Sequence, residues 1–244
     1  KTMISNQILQ NTIDGLKGIT RTDLCVIDVE GKILAATFPD AEQFITPAQA
    51  FVGSPADSQV VNGCQFFKVF DDHQLEYILL ACGDSEDVYM IGKIASFQIQ
   101  NLLVAYKERF DKDNFIKNLI LDNLLLVDIY NRAKKLHIET EVRRVVFLVE
   151  TNREKDGNEL EKIRGLFGGK SKDFVTAVDE KNIIVVKELT ENETYDDLNK
   201  TADVIINLFK SDANCNIHIA YGTIVNELKE VSRSYKEARM ALDV

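Results

Sequence analysis

Apolar residues recur at helical spacing over residues 4–18, where Ile4, Ile8, Leu9, Ile13 and Leu16 share one face. Two apolar runs follow, residues 24–29 and 32–37, with Glu30-Gly31 between them. Glycine there can take a positive φ, so the spacing predicts a hairpin. Pro39, Pro47, Gly53 and Pro55 punctuate the next stretch, which is predicted to hold only short helices and loops. Residues 64–70 and 75–82 read as a second hairpin across Asp71-Asp72-His73-Gln74. Ser85, Glu86 and Asp87 mark a helix start, with acids at the positive end of the dipole. That helix is predicted to run to about Phe110. Its apolar residues (Val88, Ile91, Ile94, Phe97, Ile99, Leu102, Leu103) cover more than one side, which predicts burial on more than one side. One side packs on its own domain, and the other meets either its own chain or a second copy. The second option makes the chain a homodimer with Ile91, Ile99 and Leu102 as dimer contacts. Helical patterning resumes over residues 113–126 and 128–136.

From residue 143 the texture changes. Strands are predicted at 145–150, 174–178, 183–189 and 215–221, and helices at 159–167, 195–210 and 225–242. The order β-α-β-β-α-β-α is the ferredoxin-like plan with one extra helix. The fold class is therefore α+β, divided into a sensor-type domain at 1–85, a helical signalling and dimerisation linker at 86–140, and a ferredoxin-like domain at 141–244. Helix, two strands, loops, two strands and exit helix is the plan of PAS-like or GAF-like sensors, and periodicity does not separate the two. There is no internal repeat.

Charge narrows the functions. The chain carries a formal net charge of −10. Residues 1–105 hold 13 acids against 6 bases, and residues 106–244 hold 26 against 23. Neither part has the basic surplus that duplex nucleic acid demands. No run approaches the ~18–20 apolar residues of a membrane span, and no signal-peptide pattern is present. Cys25, Cys64, Cys82 and Cys215 form no C-x-x-C pair, and His73, His137 and His218 are scattered. The four cysteines read as reduced thiols of a cytoplasmic protein rather than a zinc or disulfide framework. No metal or other cofactor is expected.

Three segments carry a resemblance: Val26-Ile27-Asp28-Val29-Glu30-Gly31-Lys32-Ile33-Leu34-Ala35; Asn114-Phe115-Ile116-Lys117-Asn118-Leu119-Ile120-Leu121 with Arg132-Ala133-Lys134-Lys135-Leu136-His137-Ile138; and Ser232-Arg233-Ser234-Tyr235-Lys236-Glu237-Ala238-Arg239-Met240-Ala241-Leu242. The last is the most specific. Together they make the chain similar to the bacterial CdaR/PucR-type transcriptional regulators of sugar-diacid and purine catabolism. The likeness covers roughly residues 113–244, and before residue 110 it is architectural only. It implies a sensor region, a degenerate GGDEF-like domain, and a DNA-binding helix-turn-helix module that would begin after Val244. DNA would be a partner through that module alone.

Active GGDEF enzymes place two glycines and a metal-binding acid on the central hairpin. The corresponding turn here reads Asp179-Glu180-Lys181-Asn182-Ile183, with Lys181 where the acid is needed and Glu150 as the remaining carboxylate. The resemblance therefore implies no catalytic residues. Gly168-Gly169-Lys170-Ser171 lacks the upstream glycine and preceding strand of a phosphate loop. For ligand binding, Lys68 lies among apolar neighbours on its strand face. It is either a snorkelling edge lysine or a cation for a carboxylate ligand, as the sugar-diacid branch implies. Arg21, Tyr77 and Ser58 complete the candidate ligand set. The expected function is the regulatory part of a ligand-responsive transcriptional regulator taking a small carboxylate or purine catabolite. The alternatives are a structural dimerisation platform and a nucleotide-binding GGDEF-like enzyme.

Overall fold

A computed structural model describes residues 4–151, 158–168, 172–210 and 215–243. The chain divides into two compact units, Lys1–Arg109 and Phe110–Val244.

In the first unit, helix α1 (Asn6–Thr20) starts at Ser5, whose hydroxyl accepts from the Ile8 amide, and ends at Arg21 in the left-handed region. Strands β1 (Asp23–Asp28) and β2 (Ile33–Ala36) form the first hairpin. Its turn is fastened by the Asp28 carboxylate, which accepts from the amides of Glu30 and Lys32, and Gly31 supplies the positive φ of 91°. A 3-10 turn (Ala41–Phe44) leads into α2 (Ile45–Val52). Strands β3 (Ser58–Val61), β4 (Cys64–Asp71) and β5 (Gln74–Cys82) then precede the long helix α3 (Val88–Ile120). The sheet is antiparallel in the order β2-β1-β5-β4-β3.

Helices cover both faces of this sheet. Leu9 and Ile13 of α1 and Ile99 and Leu103 of α3 pack with Leu24, Val26, Val69 and Leu79 on one face. On the other, Phe44 and Phe51 from the α2 side pack with Ile27, Phe66, Ile78 and Leu80. Phe66 meets Phe44 and Phe51 edge-to-face at 6.0 and 5.9 Å. Coverage on both faces explains why β1 and β5 are apolar without alternation.

Four features differ from the expectations. The first sheet has five strands, because 58–61 forms an edge strand. Helix α3 does not stop near Phe110 but continues to Ile120. Ile99 is fully buried against the sheet of its own unit, and Leu102 packs beside that core, so these two residues face inward and not toward a second copy. Finally, Cys64 and Cys82 are not thiols. They sit opposite each other in the β4–β5 ladder, Cα atoms 4.2 Å apart, and form a disulfide. That spacing belongs to the narrow pairs of an antiparallel ladder.

Cys25 and Cys215 are free. Burial, reinforced by Glu42, pushes the Cys25 thiol up to about 12, so its reactive thiolate is scarce at neutral pH. Unfolded protein without reductant should titrate two thiols, and four after reduction. In the native state iodoacetamide should label Cys215 and spare Cys25. Four thiols before reduction would refute the pairing.

The second unit contains α4 (Leu126–Lys135), β6 (Arg144–Thr151), α5 (Asn158–Phe167), β7 (Phe174–Ala177), β8 (Asn182–Glu188), α6 (Tyr195–Phe209), β9 (Ile217–Tyr221) and α7 (Val231–Leu242). The antiparallel sheet order β7-β8-β6-β9 is the ferredoxin-like arrangement, as the sequence predicts. Ile163, Leu198, Ile205 and Phe209 of α5 and α6 cover one face. The last turns of α3 (Phe115, Ile116, Leu119), α4 (Ile129, Ala133) and α7 (Val231, Tyr235, Ala238) cover the other. Arg144 is buried at the start of β6. Its Nη2 donates to the Glu139 carbonyl at 2.7 Å and lies 3.8 Å from the Glu188 carboxylate, while Nε and Nη1 have no acceptor among the described residues.

Candidate functional site

The hairpin between β7 and β8 is where the chemistry of an active GGDEF domain would sit. Asp179 is engaged in shaping the turn itself. Its carboxylate accepts from the backbone amides of Lys181 and Asn182 and from the Asn182 side chain, each at 2.8 Å. Partial burial works against the charged form, but these donors outweigh it and hold the carboxyl below its usual range. The Lys181 carbonyl accepts from the Thr151 amide at 3.0 Å, which ties the hairpin to the end of β6. Glu150 projects from that end, with the His218 ring 3.8 Å away. Among the described residues no group of three His, Cys, Asp or Glu side chains is placed to hold a metal ion. Of the Gly168–Ser171 segment, Gly168 follows α5, and the remainder lies outside the described residues.

In the first unit the four candidate ligand residues do not converge. Arg21 caps α1, its amide donating to Lys17. Tyr77 is buried on the α1/α3 side of the sheet, and burial foremost raises its hydroxyl pKa. Ser58 opens β3 opposite Phe67. Lys68 alternates with Phe66, on the α2 side. Its ammonium donates to the Ser54 carbonyl and lies 4.9 Å from the Phe51 ring centre.

Lys68 alone of these four borders a cleft of about 200 Å³ beside β4, lined also by Asp57, Phe67, Phe70, Lys93 and Ser96. Lys93 enters from α3, its ammonium 5.8 Å from the ring centres of Phe67 and Tyr89. Two cations and one acid over aromatic walls suit a small anion with an apolar body. The sequence reading missed Lys93. The available signal was that it is the only charged residue between Asp87 and Lys107.

The segment that carries the family resemblance packs against the central strand. Ser234, fully buried on α7, donates to the Thr223 carbonyl at 2.8 Å and accepts from the Val146 amide at 3.1 Å. Glu237 accepts from the Thr223 amide, and Tyr235 and Ala238 enter the core. These side chains clasp α7 to β6 and to the turn after β9.

A ferredoxin-like sheet, a central hairpin in place of the metal-binding turn, and this C-terminal clasp define a GGDEF-like domain. Residues 123–244, half of the chain, match the family model described as the GGDEF-like domain, and the chain belongs to that family. No curated protein matches it. Among solved structures it is similar to PelD 158-CT from Pseudomonas aeruginosa PAO1, with 11% identity over 88% of this chain and 83% of that one and a TM-score of 0.30. It is also similar to the apo form of PelD 156-455 from Pseudomonas aeruginosa PA14, with 12% identity over 88% and 81% and a TM-score of 0.30. No helix among the described residues is long and apolar enough to cross a membrane.

Proposed function

We propose that the chain is the regulatory portion of a ligand-responsive transcriptional regulator of the CdaR/PucR type. In this reading the GGDEF-like domain makes no cyclic dinucleotide, and the first unit is the PAS/GAF-like sensor. The observation that carries it is the engagement of Asp179 within its own turn, with Lys181 following. Asp179 is committed to closing its own turn, and Lys181 stands where the metal-binding acid would be needed. The regulatory input is a small carboxylate, a purine catabolite among the candidates, held in the cleft between Lys68 and Lys93. Lys93 belongs to α3, which contributes side chains to both cores. A ligand there can bias any equilibrium of that helix for which its affinity differs between states. DNA contact falls to a helix-turn-helix module following Val244.

Two measurements test this. Incubation with GTP and Mg²⁺ should yield no cyclic dinucleotide above a no-protein control. A thermal-shift screen of sugar diacids, short dicarboxylates and purine catabolites should find a compound that raises the melting temperature by several degrees at saturation. Lys93→Ala should abolish that shift without lowering the basal melting temperature. A shift that survives Lys93→Ala, or product formation in the first assay, would overturn the reading.

A further inference from the structure

Between Asp87 and Lys107 only Lys93 is charged, in a chain that is 28% charged overall. One side of this part of α3 (Val88, Ala95, Ile99, Leu103) is buried on the sheet of its own unit. The other side is also apolar and is bare. Met90, Ile94, Phe97 and Val104 are 55, 54, 66 and 55% exposed. With Asn101 they fall at steps of four, three, four and three residues, the 3.5-residue period of a coiled-coil seam. Asn101 is exposed, and its side-chain amide makes no bond among the described residues.

We propose that α3 pairs with α3 of a second copy, parallel and in register, with Met90, Ile94, Phe97 and Val104 as the seam and the two Asn101 amides meeting across the two-fold axis. An uncharged seam offers nothing to a charged partner. An amide both donates and accepts, so the same amide opposite satisfies it. A closed two-fold contact sets each seam residue against its own copy. Antiparallel pairing would set Asn101 against Phe97 or Val104 and leave its amide without a partner in an apolar surrounding, which is costly. A single polar residue at such a position sets register at some expense in stability.

The area sets the strength. Full burial of a side chain of this size removes on the order of 60–120 Å² of apolar surface. Four half-exposed side chains per copy therefore hide roughly 400 Å² over the pair. Flanking Tyr89, Gln98 and Ala105 add to this, yet the total stays at the small end of specific interfaces, below about 1,200 Å². The dimer is accordingly weak, reversible and concentration-dependent.

The test uses the full chain. Ile94→Cys and Asn101→Cys, each alone, should form disulfide-linked dimers under mild oxidation at tens of micromolar protein. Wild type and Ile19→Cys, an exposed control on α1, should form several-fold less. Self-crosslinking at both seam positions requires parallel register. Sedimentation of wild type should show concentration-dependent dimerisation. Ile94→Glu with Phe97→Glu should weaken it at least tenfold while leaving the circular-dichroism melt unchanged at protein concentrations where the wild type is monomeric, because in the monomer both side chains face solvent. A wild type that stays monomeric at hundreds of micromolar, crosslinking at Asn101→Cys alone, or a glutamate variant that remains a folded dimer would each overturn the proposal.

Discussion

Gly222→Ala should destabilise the second unit by about 3 kcal/mol. A Cβ at Gly222 would overlap the carbonyl oxygen and the hydroxyl of Ser234 on α7. The other side of the glycine is fixed as well, because its amide donates to the Val146 carbonyl at 3.1 Å. Backbone faces backbone across this gap, so no side chain can swing away to make room. The helix must withdraw, and it takes with it the two hydrogen bonds that Ser234 makes to Val146 and Thr223. Gly165→Ala is the control. A Cβ there meets nothing within 4 Å, and α5 should gain roughly 0.5–1 kcal/mol from the better helix former. Urea denaturation of both variants decides the matter. A Gly222→Ala protein as stable as wild type would show that α7 is not held where we place it.

The second large effect concerns the buried Arg144. Its side chain is 2% exposed and that of Glu188 is 23% exposed. Burial foremost lowers the Arg144 pKa, and Glu188 is the first of the acids that oppose this, followed by Glu139 and Asp173. The more buried partner is the one whose stranded charge costs more. Glu188→Leu should therefore lose about 3 kcal/mol, the low end for breaking a buried pair, since Glu139 and Asp173 still act on the guanidinium. Arg144→Met combined with Glu188→Leu should recover most of that loss, because Nε and Nη1 already lack acceptors among the described residues and an apolar pair of similar volume is often neutral. The double-mutant cycle reads the coupling directly. Losses that simply add would rule out an ion pair as the reason Arg144 is tolerated at that depth.

The second unit was largely legible in the sequence, because its strands and helices alternate in length and period and each hairpin carries its own turn chemistry. The Asp179–Asn182 turn is the instance there, and Glu30-Gly31 does the same for the first unit. Strand β3 was not legible. Ser58 and Gln59 break its apolar pattern, and as an edge strand it buries little, so only pairing with β4 defines it. The Cys64–Cys82 disulfide was hidden by register. A tight turn at Asp72-His73 alone would set Cys64 opposite Ala81. The irregularity between Val69 and Phe70 shifts the ladder by one residue and brings Cys82 opposite instead. Periodicity does not reveal a bulge of that kind. The candidate ligand residues share suitable chemistry near predicted strands, but strand faces decide who meets whom. Lys68 and Tyr77 point to opposite sides of one sheet, whereas Lys93, distant in sequence, reaches the cleft from α3. The outward assignment of Ile99 and Leu102 fails for a related reason. Ile99 and Ile94 look equivalent in a helix apolar all round, and only the position of the sheet separates the inward from the outward set.

The clasp on α7 also bears on how the chain folds as it is made. β6 is the first strand of the second unit and lies inside its sheet, between β8 and β9. Its amide at Val146 waits for a hydroxyl 88 residues further on. The first unit has all its strands in hand once β5 and the start of α3 have been synthesised. The second cannot close until its C-terminal residues arrive, and such long-range closure is slow. For most of its synthesis β6 would present an apolar strand with an unpaired edge, the exposure that draws aggregation and chaperones. A ribosome-bound chain truncated before Val231 should accordingly show a protease-resistant first unit joined to an open second one.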